Sequence, residues 1–327
     1  MTDQGPLFLA GIDRSGIGLL GELLEAHPDI AVTRRINFWS FYHDRYGDLS
    51  DVANLDRCLA DMMSYTRISR LQPQWQLLRR DFLAGEPTYA RLFALLQEQN
   101  MRRLGKSRWA DKSLNAEGDA RTIFEAFPEA RMIHVLRDPR DRYASQLTHR
   151  GSRKGRVGGG TALWLWSARL AEQNARDFAG RYKVVQYEHI VSRPEQFLRE
   201  LCLFINQEYS PQMLAVEPAA DGETTGNGAN QARPRLWTTS IGRYESTLSA
   251  SDVAFIQHYT SREMGRYGYQ PELIQMSPVG KAVHYAYNVP LNSLRLLLAR
   301  WQSAARDRAG RKPSDRRLID PVPSANS

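Results

Sequence analysis

The chain has 327 residues, 24% charged and 42% hydrophobic, with a formal net charge of +8. That balance excludes a disordered chain and a disulfide scaffold, and the length suits one α/β domain with a substantial core. No internal repeat, no H-x-x-H or C-x-x-C pair and no apolar run long enough to span a bilayer occurs, so no metal is expected.

Near the N-terminus, Leu7 to Ala10 reads as a strand that opens into Gly11-Ile12-Asp13-Arg14-Ser15-Gly16-Ile17-Gly18 and then a helix carrying Leu19, Leu20, Leu23 and Leu24. Glycines in such a turn let the backbone approach an anion closely, and the helix start directs N–H groups and dipole at it. With the first strand beginning so early, no leader or anchor is expected and the reading is cytoplasmic. His27-Pro28-Asp29-Ile30 then leads through Arg34-Arg35-Ile36-Asn37-Phe38-Trp39 to His43 and Asp44. From about 51 to 105, apolar residues such as Leu77, Leu78, Phe82, Leu92, Phe93, Leu95 and Leu96 recur at helical spacing, predicting a helical insertion over an acceptor cleft. Trp39, Phe41, Tyr42, Trp75 and Tyr89 are its candidate stacking aromatics, about half of them expected in the core. Cys58 and Cys202 sit among apolar helical neighbours and read as reduced packing residues.

A second strand, Arg131 to Leu136, ends in Arg137, after which Asp138-Pro139 caps and starts a helix with Ser145 two turns in. Two anion sites on one parallel sheet suggest a doubly phosphorylated nucleotide. Gly155 to Gly160 reads as a mobile connector or lid. Tyr187-Glu188 follows the strand at Lys183 to Val185, and Ser240-Ile241-Gly242-Arg243 forms a further loop. Beyond Tyr269, the run from Pro290 to Trp301, with Arg295, Arg300, Arg306 and Arg308, predicts a basic amphipathic helix followed by a tail from Pro313. Two readings stand for that helix: packing on the body or a second subunit, or lying on the inner face of an anionic membrane.

The order and spacing of these blocks, from Leu7 to Tyr269, resemble the sulfotransferases that use 3′-phosphoadenosine 5′-phosphosulfate (PAPS). The resemblance implies a three-layer α/β/α unit with a mainly parallel central sheet, over about residues 1–275, with the basic helix and tail at 276–327. It implies that the loop Arg14, Ser15, Gly16, Ile17, Gly18 and Leu19 holds the 5′-phosphosulfate, and that Arg137 and Ser145 hold the 3′-phosphate. Tyr187 then lies beside the adenine, and Ser240, Gly242 and Arg243 close over the 3′ end. PAPS is the implied donor and its 3′,5′-bisphosphate (PAP) the product, with no metal needed. The implied acceptor is a hydroxyl of a glycan, glycolipid or small metabolite, and no nucleic acid is expected as partner; homodimerisation stays open.

Two departures matter. Ile17 and Gly18 replace the family's loop threonines, and Arg35 stands where many carbohydrate sulfotransferases carry the general-base Glu, a role a guanidinium cannot take. Lys112, in Asp111-Lys112-Ser113, and Arg14 are expected to meet charge on the leaving oxygen. His43, Asp44 and Asp111 are the candidate bases. A P-loop phosphotransferase fits less well, since the Lys and Ser/Thr needed after Gly16 are missing, and a dinucleotide fold lacks its G-x-G-x-x-G. A PAPS-binding relative without turnover is the remaining alternative.

Overall fold

A computed structural model describes residues 4–148, 157–215 and 240–309, with side chains to Trp301 in the last helix. Among them, five strands form one parallel sheet in the order β2-β3-β1-β4-β5: β1 Leu7–Ala10, β2 Ile30–Arg34, β3 Arg108–Lys112, β4 Arg131–Leu136 and β5 Tyr182–Gln186. The central strands are apolar on both faces because helices cover both. Leu7 and Leu9 join Ile133 and Val135 beneath α1 (Ile17–Glu25) and α11 (Pro194–Ile205). Phe8 and Ala10 face the other way, into a core with Met132 and Trp109. The expected three layers are present.

That second face is covered by α2 (Phe38–Phe41), α3 (Val52–Ser64), α4 (Thr66–Ser69), α5 (Trp75–Leu83), α6 (Tyr89–Arg103) and α7 (Ala120–Ala126). The segment 51–105 is helical as its periodicity predicts. Asp51 and Thr88 cap α3 and α6 by accepting from Ala53 N–H and Arg91 N–H. Both cysteines are buried and free, Cys58 in one core and Cys202 in the other.

The chain continues through α8 (Pro139–Thr148), α9 (Val157–Asp177), α10 (Tyr187–Ser192), α12 (Tyr244–Thr247) and α13 (Ala250–Arg266). The expected connector from Gly155 is corrected from 157 onward: Val157 opens α9, and two of the three glycines that follow, Gly158 and Gly160, are packing residues. A Cβ on Gly158 would lie 2.0 Å from the Asn292 carbonyl, and one on Gly160 would lie 2.9 Å from Tyr143. Gly155 itself lies outside the described residues. The segment α14 (Pro278–Val283), a π turn (His284–Asn288) and α15 (Val289–Ala309) forms the basic helix, which packs on α9. The tail from Pro313 lies outside the described residues, and no described helix is long and apolar enough to cross a membrane. The chain leaves β1 toward β3 and β2 but leaves β4 toward β5, so a crevice opens at the carboxyl ends of β1 and β4, where such sheets bind ligands.

Candidate active site

The first loop is shaped by two glycines whose φ angles other residues rarely adopt. Gly11 has φ 147°, and a Cβ there would meet Ser15 Oγ and the Val135 carbonyl. Gly16 has φ 102°, and a Cβ there would sit 2.2 Å from the Tyr187 ring. Between them Arg14 also takes a left-handed φ of 68°, which turns its side chain into the crevice. No side chain caps α1, so the N–H groups of its first turn, from Ile17 to Leu19, are left for an anion. Backbone donors of this kind need no threonine hydroxyl, and Ser15 Oγ lies buried beside them without a hydrogen-bond partner.

The second loop meets the first directly. Asp138 caps α8 by accepting from Arg140 N–H and pairs with the Arg140 guanidinium at 2.7 Å. Arg14 Nε donates to Ser145 Oγ at 3.0 Å, and Arg137 donates to the Arg14 carbonyl and, at 2.6 Å, to the Ser240 carbonyl. Arg137 lies with its Cζ 4.4 Å from the centroid of Tyr187, whose hydroxyl shares a 2.6 Å hydrogen bond with Ser240 Oγ. Arg137 Nε is buried and unpartnered. Arg14, Ser15, Gly16, Arg137, Ser145, Tyr187 and Ser240 are thus gathered at one crevice. Burial lowers the Arg14 pKa; Asp13 opposes that, and the charges of Arg137, Arg35 and Arg243 add to it. The guanidiniums of Arg14, Arg137, Arg35 and Arg243 thus bear on one another, with Asp13 the carboxylate that opposes them at Arg14. Gly242 is the exception among the expected binders: its N–H donates to Asp141, as does that of Tyr244, so Gly242 shapes the loop rather than offering a donor.

The transfer residues divide. Lys112 and Asp111 leave β3 on opposite faces. The Lys112 stem packs against α1 at Gly21, and burial, with Arg34 and Arg35 nearby, lowers its amine to about 7. Asp111 is wholly buried under the helical layer, where Oδ1 accepts from Thr33 and burial raises the acid to about 6. It is sealed from any acceptor, which corrects its expected role as a base. His43 is corrected too. It lies against Trp39 and Tyr89 and lines a cavity of about 690 Å³ with Asp44, Asp48, Glu86 and Ala126. Ala126 ends α7, the helix that descends to the start of β4, so this cavity sits at the level of the strands' amino ends, away from the crevice. Trp39, Phe41 and Tyr42 are core residues, not a stacking platform.

Arg35, at φ 58°, turns back after β2, donates its N–H to the Lys112 carbonyl and places its guanidinium 3.8 Å from Asp13 Oδ1. Asp13 is therefore a carboxylate at the mouth of the first loop, with its side chain 44% exposed. Sequence reasoning passes over it because an acid inside an anion loop looks unfavourable; its signal is the unusual Arg35, whose charge it answers.

Three further residues hold the loops from below. Glu117, itself 1% exposed, accepts from Gly11 N–H at 3.0 Å and from Ser167 Oγ at 2.7 Å. Since Ser167 gives its one proton to Glu117, His134 Nε2–H donates to Ser167, and His134 Nδ1 accepts from Tyr182. Burial holds His134 neutral, down to about 3. Arg142, buried and lowered to about 10, donates to the carbonyls of Asp13 and Gly160. Glu188 accepts from Asp138 N–H and from the Tyr269 hydroxyl. A polar residue in a run of helix or strand has no local mark of such long-range contacts.

The profile of the Sulfotransferase family matches residues 6–211. The sulfotransferase domain from the curacin biosynthetic pathway superposes with TM-score 0.54 at 17% identity, over 82% of this chain and 99% of that one. The sulfotransferase domain from the Synechococcus PCC 7002 olefin synthase gives TM-score 0.54 at 22% identity, over 83% and 98%. No curated protein matches the chain.

Proposed function

The chain belongs to the sulfotransferase family, and on that premise we propose that it moves a sulfuryl group from PAPS to a hydroxyl of a glycan, glycolipid or small metabolite. The observation that carries the reading is the meeting of Arg14, Arg137 and Ser145 across the crevice between two loops, with the charge of Arg243 bearing on it. The residues fit such a donor: the Arg137 Nε and Ser15 Oγ are buried without partners, and Gly16 leaves no room for a side chain against Tyr187. Arg14 and the first turn of α1 would hold the 5′ end, and Arg137, Ser145 and Ser240 the 3′-phosphate.

When bound, the donor supplies the sulfuryl group and a phosphate leaving group; the chain contributes charge and proton transfer. Asp13 would take the proton of the acceptor hydroxyl as that oxygen displaces the phosphate from the sulfuryl group. Arg35 lies 3.8 Å from that carboxylate. Arg14 and Lys112 stabilise charge growing on the leaving oxygen, which on the scale of single oxyanion donors contributes about 3 kcal/mol each. Asp13 beside Arg35 offers the base that a guanidinium at position 35 cannot supply.

The test is a thermal-shift titration of the full chain with PAP, against 5′-AMP and Mg·ATP. Saturation at about 100 times Kd is expected to stabilise by about 2.7 kcal/mol, followed by an acceptor screen with labelled PAPS. Stabilisation by Mg·ATP with indifference to PAP would overturn the donor. Binding of PAP without transfer to any acceptor would favour the reading without turnover.

A further inference from the structure

The C-terminal helix shows apolar side chains on two opposite faces. Val289, Leu296 and Ala299 pack with α9 and α13 residues, while Asn292 and Ser293 share that side: the Asn292 carbonyl crowds Gly158, and Ser293 hydrogen-bonds the Tyr259 hydroxyl at 2.6 Å. A helix docked in this way ordinarily turns polar residues outward. Here Leu294, Leu297, Leu298 and Trp301, spaced i, i+3, i+4 and i+7, form the outward stripe, with Trp301 69% exposed. Val279, Val283, Tyr285 and Tyr287 of the preceding segment are also half or more exposed. A patch of this kind marks a contact surface.

Its charge selects the occupant. Arg295 and Arg300 flank the stripe on its two sides, and the sequence from 276 to 309 carries five cations, Lys281, Arg295, Arg300, Arg306 and Arg308, and one acid, Asp307. Arg311, Lys312, Arg316 and Arg317 follow in sequence with two acids, Asp315 and Asp320, so cations keep a clear excess to the end of the chain. A second copy seated on this face would bring two such cationic rims together, on chains that each carry +8. An anionic bilayer offers the complement: an apolar layer for the leucines, a headgroup level for tryptophan and tyrosine, and negative charge for the rim.

We propose that the outward face of α15, with the exposed residues of the segment before it, docks the enzyme on the surface of an anionic membrane.

The experiment is flotation of the full chain with phosphatidylcholine vesicles with and without phosphatidylglycerol, with sedimentation velocity of the free protein alongside. The native chain is expected to float with the anionic vesicles and to stay below with neutral ones. The double variant Leu297→Glu, Trp301→Ser should abolish flotation with an unchanged melting temperature, since neither side chain is buried. A second variant, Arg295→Ser with Arg300→Ser, should lower partitioning by about tenfold or more. Failure of the native chain to float, flotation that the first variant leaves intact, or a dimer in free solution that the first variant dissolves would each overturn the proposal. Because PAP binding is read separately, failure here leaves the donor assignment standing.

Discussion

Around the crevice, buried polar side chains are tied one to the next: Glu117 to the Gly11 amide, Arg142 to the Asp13 carbonyl, Glu188 to the Asp138 amide, Arg14 to Ser145. Across the neighbouring face of the sheet the helical layer is held by rings. Phe8, Phe38, Trp39, Phe93, Trp109 and Phe127 interlock at centroid distances from 5.0 Å, between Phe38 and Phe93, to 6.4 Å, between Phe8 and Trp39. A hydrogen-bonded network tolerates few replacements, because each removal strands a buried partner. Aromatic packing tolerates many at similar volume. One region can therefore keep its geometry while the other is rebuilt.

The sharpest test of that division lies where the two regions touch. Asp13→Asn is expected to lower turnover of PAPS, with an acceptor found by screening, by about 10²–10⁴-fold, while PAP affinity by calorimetry stays the same or tightens. Unchanged turnover would place the base elsewhere. In the helical layer, Phe93→Ala should cost about 3–5 kcal/mol in urea unfolding, with PAP affinity of the folded fraction intact; a matching loss of affinity would show that the layers are not independent.

A third measurement uses pH. Because burial raises Asp111 from 3.8 to about 6 in the folded protein, the folded state holds that proton more tightly than the unfolded chain. This contribution to stability is full below about pH 4 and is lost as pH rises through 6, by at most about 3 kcal/mol. Asp111→Asn should flatten the pH 4 to 6 part of the stability curve, a window below the one in which Lys112 titrates. Equal slopes in both proteins would mean that Asp111 does not carry it. The smallest effect expected is that of Arg137→Ala, a loss of about 10- to 100-fold in PAP affinity for one charged hydrogen-bonding group, with no change for 5′-AMP, which lacks the 3′-phosphate.

Much of the crevice is legible in the sequence because its chemistry is local. A strand, a glycine turn and a helix start are contiguous in the chain, and the Asp138-Pro139 cap announces α8 in two residues. The helical insertion is legible for the same reason, through its periodicity. The misplaced residues are those whose role depends on which way a side chain points or what lies across the sheet. Asp111 and Lys112 are adjacent in sequence, yet the strand's alternation buries one under the helices and lays the other against α1.

By itself, the sequence determined the layered fold, the two strand–turn–helix loops and the amphipathic character of the last helix, since all three follow from short-range pattern and backbone stereochemistry. Tertiary structure alone decided that Asp13 answers Arg35, that His43 is remote from the crevice, that Glu117 and Arg142 hold the first loop, and which face of α15 is left to solvent. Those are contacts between residues far apart in the chain. Their energy comes from burial and charge in a particular packing, which no single segment encodes.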